Sequence, residues 1–145
     1  MKFLIQRVKE ARVICDDLVV SEIEKGLLVF VGIKQDDTIE NADYMIKKLI
    51  NLRVFEDENE KMNLSLKDIN GSILIVSQFT LYADCNSGNR PSFSNAAKSE
   101  EAKKLYDYIV EELKKKINNV KTGIFGADME VGLINDGPVT IILEK

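Results

Sequence analysis

Apolar residues alternate with polar ones near the start of the chain, at Phe3 and Ile5, then Val8, then Ala11 and Val13. A two-residue period predicts a half-buried strand over residues 2–14. Asp16-Asp17 interrupts the apolar pattern and Leu18-Val19-Val20 resumes it, which predicts a hairpin. Leu27-Leu28-Val29-Phe30-Val31-Gly32-Ile33 shows no alternation. Such a continuous, β-branched-rich run fits a strand buried on both faces. Asp37-Thr38-Ile39-Glu40 has the acid-then-Glu spacing of a capping box, and Ala42, Met45, Ile46, Leu49 and Ile50 then recur at helical intervals. Arg53-Val54-Phe55 reads as a short strand and Glu56–Lys61 as a solvated loop. Gly71 opens a strand, Ile73-Leu74-Ile75-Val76, that runs into Ser77-Gln78.

Residues 84–94 read as a loop punctuated by Gly88 and Pro91. A second helix starts at Ser99-Glu100-Glu101, with Ala102, Leu105, Tyr106, Ile109, Leu113 and Ile117 as its apolar face. Lys114-Lys115-Lys116 complements the dipole at its end. Two closing strands are expected, around Met129–Ile134 and Val139–Leu143. The pattern therefore predicts one α+β domain over residues 1–145, a largely antiparallel sheet with two main helices. About seven strands against two helices leave one sheet face short of cover, so a homodimer is expected to complete or cover it.

Composition narrows the chemistry. The 145 residues include no histidine and no tryptophan. Ser-His-Asp and Cys-His nucleophile systems and His-rich zinc sites are thereby excluded. General base work would fall to a shifted carboxylate, a shifted lysine or the substrate itself. Cys15 and Cys85 match no metal or redox spacing and read as reduced thiols of a cytoplasmic protein. No cofactor and no metal is expected. No apolar run reaches the length of a membrane span, and no signal-peptide core follows Met1. The net charge of −4 argues against a broad nucleic-acid surface, although not against a protein that touches only the tip of one.

Two polar clusters stand directly against apolar strands: Ser77-Gln78-Phe79-Thr80-Leu81, and Asn135-Asp136-Gly137-Pro138-Val139-Thr140. Ser77 and Gln78 at a rigid strand end are placed to orient an ester and stabilise an oxyanion. Thr80 is either a nucleophile or a hydroxyl that binds substrate or caps the strand end. Alternation sends Phe79 and Leu81 to the opposite face, as core. Gly137-Pro138 is either a plain turn or a backbone reader of a small ligand. Arg90-Pro91-Ser92-Phe93 pairs a cation with an aromatic ring, suited to a phosphate or a base, or forms an ordinary surface loop. Gly123-Ile124-Phe125-Gly126-Ala127 sets a ring between glycines, as a pocket wall or a bulge.

Taken in order, SQFTLYAD from Ser77, NRPSF ending at Phe93, FGADM ending at Met129 and NDGPVT from Asn135 closely resemble the D-aminoacyl-tRNA deacylases. The likeness spans the chain, from Ile5-Gln6-Arg7-Val8 through Lys25–Val29, Asn51–Phe55 and Lys61–Ser65. One departure is Asn86-Ser87-Gly88-Asn89, less basic than the Lys/Arg-rich loop of the family, which weakens the expectation of a phosphate contact there. The resemblance implies a cytoplasmic homodimer that cleaves the ester between a D-amino acid and the 3′-terminal adenosine of tRNA. Glycine misplaced on alanine tRNA is implied as a second substrate. It further implies Ser77, Gln78 and Thr80 at the scissile ester with Phe79 beside them. Gly137-Pro138, cis and reaching across from the other subunit, is implied as the chirality filter, with Leu81 in the same substrate-binding group, Arg7 holding the filter and Phe125 and Met129 near the adenine. The absent histidine suits a route in which the substrate 2′-hydroxyl assists. Two other readings stand beside this one: a sibling deacylase acting on L-alanyl-tRNA through a trans Gly-Pro bond, and a non-catalytic dimer that grips an RNA end.

Overall fold

The first strand, β1 (Lys2–Cys15), is the spine of the molecule. The computed structural model describes every residue, Met1–Lys145. β1 turns through Asp16 and Asp17, both at positive φ as a two-residue hairpin turn requires, into β2 (Leu18–Ile23). β2 and then β3 (Gly26–Gly32) lie along one edge of β1, and β8 (Glu130–Glu144) lies along the other, all antiparallel to it. β6 (Ser72–Ser77) joins β3, and β7 (Val120–Thr122) joins β6, both in parallel. The sheet is thus antiparallel around β1 and parallel where its crossovers carry the two helices. It curls until β2 comes back against β6 and β7, giving a nearly closed barrel. A separate hairpin pairs β4 (Phe55–Glu56) with β5 (Met62–Leu64).

The helices are α1 (Ile39–Ile50) and α2 (Ser99–Lys114). They cover one sheet face, packing Met45, Ile46, Leu49, Tyr106, Ile109 and Leu113 onto Phe3, Ile5, Leu27, Val29, Ile73 and Ile75. The inside of the curl holds a second core of Val8, Ala11, Val13, Ile23, Leu28, Leu74 and Val76. β3 and β6 are therefore buried on both faces, which explains why neither run alternates. The second core accounts also for the phase change in β1. Two bulges against β8, around Val8, switch the inward side chains from one core to the other.

Three expectations are corrected. The α1 cap is Thr38 with Asn41 in a reciprocal box, one residue later than the acid-Glu pattern suggested. Asp37 is occupied instead by the Lys34 amide at 2.8 Å and the Met1 amino group at 2.6 Å. The two closing strands are one, β8, because the polar NDGPVT segment bulges out without ending the ladder. The strand through Ser77 does not continue to Leu81. A 3-10 turn, Phe79–Tyr82, follows, so Phe79 escapes the core and is 56% exposed while Leu81 is half-buried.

Candidate active site

β6 is buried up to Val76, and its ladder runs one residue further, the Gln78 amide donating to the Val31 carbonyl at 2.8 Å. The chain then turns sharply. Gly32 permits this, since a Cβ there would stand 3.0 Å from Leu81 Cβ, 3.2 Å from the Tyr82 ring and 3.3 Å from the Gln78 carbonyl oxygen. The 3-10 turn lies flush on the end of β3 for that reason. Lys2 secures its far end, reaching the Leu81 carbonyl at 3.4 Å and the Tyr82 ring at 5.0 Å. The backbone amides of Phe79 and Thr80 open this turn and find no acceptor in the protein. Gln78 Nε2 donates to Thr80 Oγ1 at 2.5 Å, which ties both polar side chains to one place.

Beside the turn is a cavity of about 550 Å³, the size of a small-ligand site. Ser77, Gln78 and Phe79 form one wall and Phe125 to Met129 the other, with Val31, Ile33, Ala97, Ser99 and Ala102 below. Phe125 is held from behind by Tyr106, ring centroids 5.5 Å apart. Tyr106 in turn donates to the Ile75 carbonyl at 2.9 Å, and burial pushes its hydroxyl above the ordinary tyrosine range, with Asp107 adding to the effect. The lining is mostly apolar. Its one ionisable side chain, Asp128, is exposed.

The second polar cluster has a different construction. In the β1–β8 ladder Gln6 pairs with Thr140 and Val8 with Asn135, so only Arg7 opposes Asp136-Gly137-Pro138-Val139. The neck of this bulge is closed by Asn135 Nδ2 to Thr140 Oγ1 (3.0 Å) and the Val139 amide to Asn135 Oδ1 (3.2 Å). Arg7, only 5% exposed, spans the space beneath. It donates to the Asp136 carbonyl at 3.1 Å, the Val54 carbonyl at 2.7 Å and the Glu56 carboxylate at 3.3 Å. A Cβ on Gly137, whose φ is +124°, would stand 3.0 Å from the Arg7 guanidinium and 2.8 Å from Val139. The Gly137-Pro138 peptide bond is cis, and both residues are exposed.

Within the chain, Ser77, Gln78, Phe79, Phe125 and Met129 meet at a single cavity, with Thr80 bonded to Gln78 and Leu81 in the turn that follows. Arg7, Gly137 and Pro138 do not line that cavity; they form their own unit near Val54 and Glu56. Ala97, Ser99 and Ala102 were not expected to line a site, because small residues at and just before the start of a helix carry no chemical signature. Both cysteines are free, Cys15 buried and Cys85 exposed. No helix is long and apolar enough to cross a membrane.

Comparison with known proteins matches this architecture to a family. A family model described as D-Tyr-tRNA(Tyr) deacylase matches residues 4–144. The chain belongs to the D-Tyr-tRNA(Tyr) deacylase family. It is 57% identical to a protein of Clostridium novyi (strain NT) named D-aminoacyl-tRNA deacylase, over 100% of this chain and 97% of the relative. A protein of the same name from Caldicellulosiruptor bescii is 51% identical over the same shares. Among solved structures, one titled c-Myc DNA Unwinding Element Binding Protein superposes with a TM-score of 0.95 at 42% identity, covering 100% of this chain and 99% of that one. A second, titled as a probable eukaryotic D-amino acid tRNA deacylase, shares the fold with a TM-score of 0.84 at 17% identity, over 98% and 97% of the two chains.

Proposed function

We propose that the protein is a D-aminoacyl-tRNA deacylase that works as a cytoplasmic homodimer with the reacting ester between Ser77-Gln78 and the amides of Phe79 and Thr80. Membership of the deacylase family supports the activity. The observation that carries the mechanism is the poverty of the cavity: it offers donors and an apolar wall, but no histidine, lysine or buried carboxylate. A water oxygen attacks the ester carbonyl, the bond to the ribose 3′-oxygen breaks, and that oxygen takes a proton. The free amino acid and an uncharged 3′ end are the products. The amides of Phe79 and Thr80 receive the developing negative charge, and Gln78 and Ser77 orient the ester. Phe125 and Met129 hold the terminal adenine.

With no base in the wall, the neighbouring 2′-hydroxyl of the substrate activates the water or shares its proton. A substrate ending in 2′-deoxyadenosine tests this step. Hydrolysis should fall by about 100-fold or more, the scale of a lost general base; an unchanged rate would remove substrate assistance.

Handedness requires a second element. Gly137-Pro138 of one protomer, braced by Arg7, reaches the cavity of the other and sets bare main chain against the amino group and α-hydrogen. An L side chain then clashes, a D side chain points outward, and glycine has nothing to exclude, so glycine on alanine tRNA is cleaved too. Support comes from the exposed bulge and from Ile134 and Ile142, 49% and 58% exposed on the same long strand, an uncovered apolar surface suited to a second copy. Incubation with D-Tyr-tRNA and L-Tyr-tRNA tests the whole reading. Release of D-tyrosine alone is expected. Protection of both esters would make the protein a binding module, and release from L-alanyl-tRNA in preference would favour the sibling activity.

A further inference from the structure

The side chains of one cluster beside the cavity are used by none of these steps. Phe79 turns its ring away from the core and meets Phe93 edge to face, centroids 5.0 Å apart at 71°. They are 56% and 38% exposed, a large apolar surface to leave in water at the mouth of a site. Phe93 is not on a loose loop. Asp84 and Ser92 exchange two backbone bonds of 2.8 Å just before it, Gln35 Nε2 donates to the Ser94 carbonyl at 2.6 Å just after it, and the Ala97 amide reaches the Ile33 carbonyl at 2.9 Å. Arg90, three residues before Phe93, is exposed and takes part in none of the ion pairs of the structure. The nearest acid in sequence, Asp84, turns its carboxylate to the Asn86 amide at 2.9 Å and side chain at 2.7 Å. Between Asp84 and Lys98, Arg90 is the one cation.

We propose that the Phe79–Phe93 pair is a stacking platform for the nucleotide that precedes the terminal adenosine, with Arg90 meeting the phosphate that joins the two. Stacked rings and an arginine are the usual means of holding an unpaired nucleic-acid end, since every base offers a flat face and every linkage a charge. Phe79 lines the cavity and touches Phe93, so the platform continues the adenosine site outward. The NRPSF segment thereby gains a role, and a chain of net charge −4 can bind tRNA through its tip. This inference rests on the deacylase reading.

The test compares D-tyrosine esterified to adenosine, to the dinucleotide cytidylyl-(3′→5′)-adenosine, and to full tRNA. For the unaltered protein, kcat/KM should rise about tenfold from adenosine to dinucleotide, within the range one stacked base supplies. Phe93→Leu keeps the apolar contact with Phe79 but removes the flat ring; it should erase that gain while leaving the adenosine ester unaffected, and Phe93→Trp should restore it. Arg90→Gln should reduce the gain and flatten its dependence on salt. No gain from the added nucleotide, or a gain that survives Phe93→Leu, would overturn the platform. So would a loss in Phe93→Leu that appears with the adenosine ester and grows from D-alanine to D-phenylalanine, since the rings would then serve the amino acid. Failure to hydrolyse any of the three D-esters would instead strike the deacylase reading itself.

Discussion

The cavity wall at Ser77–Thr80 and the bulge at Asp136–Val139 are both polar segments set on apolar strands, yet they are held in opposite ways. The first is positioned by packing. β6 is buried on both faces, Gly32 lets the 3-10 turn rest on the end of β3, and no ion pair acts on the turn itself. The second is positioned by one charged side chain whose guanidinium bonds to three acceptors on two segments, Val54–Glu56 and the bulge itself. A packed wall suits chemistry that needs fixed donors. A clamped bulge is a projection, rigid at its base and exposed at its tip, which suits a part that must enter another surface. On the proposed reading, the contrast explains why the chain holds the cavity and the Gly-Pro bulge as separate units.

The contrast breaks first at Gly137. Its φ of +124° and the close Arg7 and Val139 atoms leave no room for a branched side chain. Gly137→Val should cut kcat/KM for D-Tyr-tRNA by about 100-fold, as ångström-scale misplacement of a positioning group does, or abolish L rejection. Full activity with full L rejection would detach the bulge from the site. A circular dichroism melt distinguishes this from global unfolding.

Arg7 is next. Arg7→Met leaves the buried Val54 carbonyl and the part-buried Asp136 carbonyl without this donor, and should lower stability by about 2–3 kcal/mol. Activity on D-Tyr-tRNA should drop about tenfold as the bulge loosens. Arg7→Lys should not rescue it, because one ammonium cannot reproduce a planar fork aimed at three acceptors. Rescue by lysine would mean that charge alone matters there.

How far each region could be read beforehand follows from what holds it. The packed wall announces itself through apolar runs, and β3, β6 and both helices lie where periodicity puts them. Phe79 was misread because alternation assumes that the strand goes on, and the turn that stops it depends on Gly32, more than forty residues earlier. The closing strand was split in two for a related reason. A Gly-Pro pair reads as a break, whereas the long β1 partner and the Arg7 clamp carry β8 past it. Neither signal is local. The likeness to the deacylases supplied the expectation for Arg7, which no spacing rule singles out.

In and beside the cavity, the smaller expected effects concern two side chains with the chemistry of a catalyst, Asp128 on its lining and Thr80 bonded to Gln78. Thr80→Ala and Asp128→Asn should each keep kcat/KM within about fivefold, since a true general base contributes roughly 10²–10⁴. A hundredfold loss at Asp128 would give the wall a base after all, and an acyl group trapped on Thr80 Oγ1 would replace substrate assistance with covalent catalysis.

The mildest change tests whether packing really carries the wall. Tyr106 reaches Phe125 through its ring and the Ile75 carbonyl through its hydroxyl. Tyr106→Phe keeps the ring, and the Ile75 carbonyl still accepts the Gly123 amide at 3.0 Å. The oxygen therefore retains a donor, and the loss should be about 1 kcal/mol, a melting shift of some 3 °C for a domain of this size. Turnover of D-Tyr-tRNA should stay within about twofold, because the lost bond acts on the strand and not on the reacting ester. If turnover fell far more than stability, Phe125 would be held by the hydroxyl network and not by the ring beneath it, and the wall would share the construction of the bulge.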